Sequence, residues 1–260
     1  MARNKRTGNR IAALLGIGLI LALLQAGHAL QGSKALIPSV DELLRTLWEM
    51  LGREKTYTRI GVTLLHVVKS VALSAVIGIT LGMAEGLVPY LHALLRPLQS
   101  LFRSIPVILL GIIMLMVTRF SKEWMPVLTG CLVLVPLISE AAYEGCVRID
   151  TSLTDVYRLD SRTTPRIILR VYLPLISGYI RQAFVNACGM GLKVVVTAEY
   201  LVQTADSLGT AIHNQLDSLN YAELFAYALI MVLLVLLLTG IPALVMRLME
   251  MHKKKEITIG

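Results

Sequence analysis

The chain has 260 residues, 55% of them apolar and only 16% charged, with a formal net charge of +8. A water-soluble domain of this size carries about a quarter charged residues, so a wholly soluble globular protein is excluded. The basic excess has no compact soluble domain to sit on, which argues against nucleic-acid binding and for an anionic lipid surface as its counterpart.

A first apolar run, Ile11–Ala26, follows Arg3, Lys5, Arg6 and Arg10. Such a start also describes a secretory signal, but Gly27-His28-Ala29-Leu30 has no small-x-small cleavage site, so a retained span is expected. Next, Ser39 with Glu42 three residues on forms a capping box. Val40, Leu43, Leu44, Leu47 and Leu51 then recur at helical spacing, and Gly52 ends the helix. This stripe, with Trp48 at its edge, suits packing on the outer surface of the protein or the bilayer.

The second run is Val62–Val88. Gly78, Gly82 and Gly86 form a ridge on it where another helix can approach closely, and packing within the chain is the expected use. Lys69 lies two turns in and can snorkel outward. Ile105–Thr118 is a short third run opened by Pro106, and Trp124–Ser139 is the fourth.

Between the fourth run and the fifth lies a polar island, 140–172. Loops longer than about 15 residues are usually functional or disordered. Here Leu153, Val156, Tyr157 and Leu159 recur as one face of a short amphipathic helix, which reads as a docking element on one side of a membrane. The fifth and sixth runs are Leu173–Ala198 and Ala222–Leu248. Arg181 snorkels on this reading, whereas Lys193, six residues before Glu199, either snorkels or lies on a solute route. Glu85 and Glu199 fall near span ends, so neither reads as a mid-membrane carboxylate.

Spans of about 20 residues cross the hydrocarbon core as helices that satisfy their own backbone polar groups. The expected fold class is therefore all-α: one polytopic membrane bundle over 1–260 with about six transmembrane helices. With six spans both termini share a side, and that side carries fifteen Lys and Arg, including Arg148, Arg158, Arg162, Arg166 and Arg170 of the island, against seven opposite. The positive-inside bias makes the termini and the island cytoplasmic.

Chemistry-bearing patterns are missing. Cys131, Cys146 and Cys188 are far apart, the five histidines lack metal-ligand spacing, and there is no phosphate-binding loop. No catalytic or metal-ligating residue is nominated, and an enzyme is not expected.

The island and its flanks resemble the cytoplasmic loop of ABC importer permeases, whose pattern is Glu-Ala-Ala, three residues, Gly, nine residues, Ile-x-Leu-Pro. Glu140-Ala141-Ala142 is a false start, because counting forward puts the family glycine on Cys146. Counting back from Leu173-Pro174 places Glu-Ala-Ala on Asp155-Val156-Tyr157, the glycine on Ser161 and the isoleucine on Val171. The copy is degenerate: Asp replaces Glu, both alanines are changed, and Ser replaces Gly.

Further likenesses point to the nitrate, sulfonate and taurine branch over about residues 36–250. They are Ile37-Pro38-Ser39 before its helix, Arg103-Ser104-Ile105-Pro106, Asp150-Thr151-Ser152-Leu153, Ala198-Glu199, and Ser207-Leu208-Gly209 for a Gly-Leu-Gly turn. Val117-Thr118-Arg119-Phe120 departs from an expected Trp-Phe-Gly turn.

The resemblance implies a permease subunit in the cell membrane of a prokaryote, enclosing a pathway with a second copy, an expected homodimer. A separate ABC ATPase, carrying ATP and Mg, and an extracytoplasmic solute-binding protein would be its partners; this chain would hold no cofactor. It further implies a cytoplasmic coupling helix between the fourth and fifth spans. Leu153, Asp155, Val156, Tyr157, Arg158 and Ser161 would dock on the ATPase, with Lys193 and Glu199 on the translocation pathway. The solute would be a small one, nitrate-, sulfonate- or taurine-like or a vitamin precursor. An ion-gradient-driven secondary transporter and a non-transporting scaffold are the rival readings.

Overall fold

The computed structural model describes residues 15, 16, 18, 19, 22–30, 36–117, 122–149 and 168–259, with side chains in the last stretch described from 170 to 245. Every regular element among the described residues is helical. Besides a helical segment at 22–30, the elements are α1 (Val40–Leu51), α2 (Glu54–Leu87), α3 (Pro89–Ser104), α4 (Val107–Val117), α5 (Trp124–Val147), α6 (Leu173–Val202), α7 (Leu208–Asp217) and α8 (Tyr221–Ile259). The chain divides into two compact units, Met1–Tyr57 with Ile212–Val232 and Thr58–Ala211 with Leu233–Gly260.

In the first unit α1 begins as its capping box predicts: Ser39 Oγ accepts the Glu42 N–H at 3.1 Å, and Gly52 closes the helix. Leu43 and Met50 are buried, while Leu44 and Trp48 stay exposed. The start of α8 is capped by Asn220, whose Oδ1 accepts the Glu223 N–H at 3.3 Å.

The second unit is built on α5 and α6, with α2 packed against α5. Apolar helices gain nothing from leaving lipid for one another by the hydrophobic effect, so close van der Waals packing must hold them, and small residues permit it. At Gly82 an added Cβ would meet the Ser139 carbonyl oxygen at 2.1 Å, and at Gly86 the Cys146 Cβ at 2.4 Å. At Gly78 it would meet Ile138 Cβ at 2.9 Å. The glycine ridge is thus a seam within the chain, between α2 and α5. On α6, Gly145 of α5 fits against Ile176 and Tyr179, and Gly191 faces Leu134, Val71 and Val67. The α6 helix ends at Gln203, which takes a left-handed conformation (φ 55°) and returns its N–H to the Glu199 carbonyl.

Among the described residues four helices are long and apolar enough to cross a membrane: Glu54–Leu87, Trp124–Val147, Arg170–Val202 and Tyr221–Val245. The predicted first span, Ile11–Ala26, lies largely outside the described residues. The predicted third span takes a different form. Val107–Val117 is only 11 residues long, about 16 Å, which is half a hydrocarbon core. It pairs with Pro89–Ser104 across a 102° bend to make a broken span or a re-entrant element. Pro106 explains the break, since the residue before a proline is driven to an extended conformation, and Ile105 has φ −74° and ψ 128°.

The polar island is also shorter than its charge suggests. Residues 140–147 continue α5, because Ala142, Gly145 and Cys146 supply a buried face beneath the charged one. At the far end Ile168–Tyr172 forms a π-helical turn running directly into α6.

Candidate functional site

Three polar features stand out against this apolar framework, all within the second unit. The first is a stripe on α6. Gln182, Asn186 and Lys193 are exposed there, and Thr197 and Tyr200 are half-buried. At 100° per residue they fall, with the exposed Met190, in one narrow arc of the helix. The neighbouring positions Leu192, Val194, Val195 and Val196 are buried. The exposed face of α8 is apolar by contrast, with Leu233, Leu236, Leu237, Ile241 and Leu244. A lysine costs about 3 kcal/mol at mid-bilayer on insertion scales, and polar residues of spanning helices usually face water or protein.

Behind the end of that stripe lies the second feature. Glu199 is wholly buried. Its Oε2 accepts from Thr63 Oγ1 at 2.8 Å and from the Gly209 N–H at 3.2 Å, and its Oε1 sits 2.7 Å from His66 Nδ1. Thr63 in turn accepts the Leu208 N–H at 3.0 Å. The carboxylate therefore ties α2, the end of α6 and the start of α7 together. Gly209 is required at the contact: a Cβ there would lie 2.5 Å from Glu199 Cβ and from the Val196 carbonyl oxygen.

The third feature repeats this chemistry around Glu85, which is 1% exposed. It accepts from Ser139 Oγ at 2.9 Å and from Gln99, and meets His92 Nδ1 at 3.0 Å. The His92 ring lies flat on Tyr143, centroids 3.7 Å apart and 2° from parallel. Arg103 pairs with Glu140 alongside. Through these contacts α3 is joined to α2 and α5 by polar groups on its inner face, whereas Tyr90, Leu94, Leu98 and Leu101 are exposed on its outer face.

Both carboxylates lie near helix ends as the sequence reading had them, and the structure adds that both are buried and hydrogen-bonded. Thr63 and His66, at i and i+3, share a helix face with the Val67 and Ser70 rows. His92 and Gln99 likewise stand seven apart on α3, so polar positions with core periodicity were the available signal. Lys69 is exposed, with its Nζ 5.5 Å from the Trp124 ring centroid. Lys193 is exposed and Glu199 buried, so those two nominated residues differ in what they can touch. The nominated docking residues Leu153, Asp155, Val156, Tyr157, Arg158 and Ser161 lie outside the described residues. No group of His, Cys, Asp and Glu suited to a metal ion occurs among the described residues.

Residues 74–255 match the family described as the binding-protein-dependent transport system inner membrane component. The chain belongs to this family. Its fold is that of ABC importer permeases: an inward-facing MetNI methionine ABC transporter structure superposes with a TM-score of 0.59 at 19% identity, covering 79% of this chain and 94% of that one. A bacterial ABC transporter involved in the import of the acidic polysaccharide alginate superposes equally well, TM-score 0.59 at 18% identity, covering 92% of this chain and 96% of the other. At such identities the likeness speaks for the fold alone. No curated protein matches the sequence. The matched stretch of the family runs from the second half of α2 into α8, so it contains the α6 stripe and both buried carboxylates. As a member the chain is a multi-pass membrane permease subunit and carries no catalytic site of its own.

Proposed function

We propose that this permease forms the solute pathway of a type I ABC importer and takes its power stroke from a separate ATPase. One observation carries the reading: the polar arc of Gln182, Asn186, Lys193 and Thr197 on a helix of membrane-crossing length. Two copies of the chain would bring two such arcs to a shared aqueous route, and a rocking movement of packed bundles would open it alternately to each side. Lys193 would meet the solute, and a small anion of the nitrate, sulfonate or taurine kind suits a lysine. Glu199 would act from behind, holding the end of α6 in place.

The segment with Leu153, Asp155, Val156, Tyr157, Arg158 and Ser161 would rest in a groove of the ATPase, on the cytoplasmic side with both termini. An external solute-binding protein would deliver the cargo. ATP and Mg belong to the ATPase, and this chain needs no cofactor.

A secondary carrier would use buried carboxylates, and Glu85 and Glu199 are buried. Each, however, has its protein donors already in place, and family membership favours the binding-protein-dependent system. The test is affinity purification of the tagged chain in mild detergent with mass spectrometry of its companions, followed by uptake in proteoliposomes. A stoichiometric ATPase and ATP-dependent uptake are expected. Uptake that persists without ATP and collapses with the ion gradient would overturn the proposal for the carrier, and neither activity would overturn it for the scaffold.

A further inference from the structure

Helix α1 has both ends pinned beside the ends of other helices in its own unit. At its start the Ile37 carbonyl oxygen lies 2.8 Å from His28 Nδ1, and the Val40 N–H donates to Gln25 Oε1 at 3.3 Å. Gln25 and His28 belong to the helical segment 22–30, so the start of α1 is tied to that segment. At the other end Arg53 donates to Glu223 Oε1 at 2.7 Å. Arg53 directly precedes Glu54, the first residue of α2, and Glu223 lies in the first turn of α8. Both are membrane-crossing candidates, so this pair marks the level at which two spans begin.

A charged pair at the start of two spans suits the membrane–water interface and not the hydrocarbon core. The Arg53 side chain is half-exposed, and its guanidinium pKa is raised by the hydrogen bond it donates to Glu223 first and by that carboxylate's charge second. A helix of 12 residues is about 18 Å long, and α1 is held at both ends.

The circumference of α1 has three sectors. Leu43 and Met50 turn inward and are buried. Asp41, Arg45 and Glu49 form an exposed charged sector, with Arg45 and Asp41 paired at 3.5 Å. Between the two lie Leu44, 55% exposed, and Trp48, 80% exposed, about 40° apart on the helix. A soluble surface has no need of a leucine and a tryptophan so presented. An interfacial helix does: a charged flank meets water while an apolar shoulder enters the acyl-chain boundary, with tryptophan at headgroup depth.

We propose that α1 is a membrane-surface anchor, lying in the phospholipid headgroup layer with Leu44 and Trp48 inserted at the top of the acyl chains. The two tryptophans of the chain, Trp48 and Trp124, make this measurable. Full-length Trp124→Phe and the Trp48→Phe, Trp124→Phe double variant, each purified with its copurifying subunits, are placed in phospholipid nanodiscs with and without bromine on the lipid chains, and their difference is read as Trp48 emission. Should Trp124→Phe fail to accumulate, the difference between wild type and Trp48→Phe supplies the same reading.

The expected result is a blue-shifted Trp48 emission that loses most of its intensity in brominated lipid and resists aqueous iodide. Emission untouched by brominated lipid and quenched by iodide would overturn the proposal. Protection from iodide that appears only on adding the solute-binding protein would assign the same shoulder to that protein, and would overturn it equally.

Discussion

His66 Nδ1 and Glu199 Oε1 stand 2.7 Å apart, 133 positions distant in sequence, with both side chains almost wholly removed from solvent. Removing one partner of a buried pair strands the other, which costs roughly 3 kcal/mol or more. Glu199→Ala should therefore lower the thermal midpoint of the detergent-purified chain sharply, because Thr63, His66 and the Gly209 N–H lose their acceptor together. Glu199→Gln, which keeps the volume and one acceptor oxygen, should cost less. Equal midpoints for the alanine variant and wild type would refute the clamp.

The glycine seam makes a prediction by contrast. A methyl at Gly82 collides with a backbone carbonyl on α5, whereas nothing lies within 4 Å of one at Gly61. Overpacking costs roughly 1–3 kcal/mol, and a backbone atom gives way less than a side chain. Gly82→Ala should reduce folded yield and stability, while Gly61→Ala should be neutral or stabilising by about 0.5–1 kcal/mol through the better helix propensity of alanine. Size-exclusion profiles of the two variants side by side decide the matter.

At Glu85 two roles of one histidine can be separated. His92→Phe keeps a ring on Tyr143 but removes the bond to the carboxylate, at a cost of about 1.5–3 kcal/mol for a hydrogen bond to a charged group. His92→Ala loses the ring contact as well, about 0.5–1.5 kcal/mol more. Denaturant unfolding in detergent should rank wild type above phenylalanine above alanine. Phenylalanine and alanine variants of equal stability would show the stack to be idle.

Lys193 should matter for transport without mattering for assembly. Lys193→Gln should cut solute uptake in proteoliposomes several-fold while leaving thermal stability and ATPase copurification intact, since its side chain is exposed. Unchanged uptake would remove it from the pathway.

Tyr157→Asp should give the opposite signature. If the segment around Tyr157 docks in the ATPase, a charge there should abolish copurification of the ATPase while the purified chain keeps its unfolding midpoint. Retained copurification and transport would send the assignment of Asp155, Val156, Tyr157, Arg158 and Ser161 back to the sequence.

Much of this molecule was open to reading because its rules are local. Long apolar runs dictate membrane helices and the Ser39–Glu42 spacing dictates where α1 starts, through interactions within a few residues or with bulk lipid. The ridge of Gly78, Gly82 and Gly86 belonged to the same class of signal. Local charge misled at 140–147, where an acidic surface hid a helix whose other face was buried.

Only the tertiary structure decided the fate of Glu85 and Glu199. Whether a carboxylate is buried depends on donors brought to it, and Ser139 and His66 arrive from helices 54 and 133 residues away. The break at Pro106 was visible as a proline, but that it folds α3 back at 102° onto a polar anchor was not. Hydrophobic periodicity says which face of a helix turns inward; it does not name the polar group waiting there, because that choice is made by packing between helices distant in the chain.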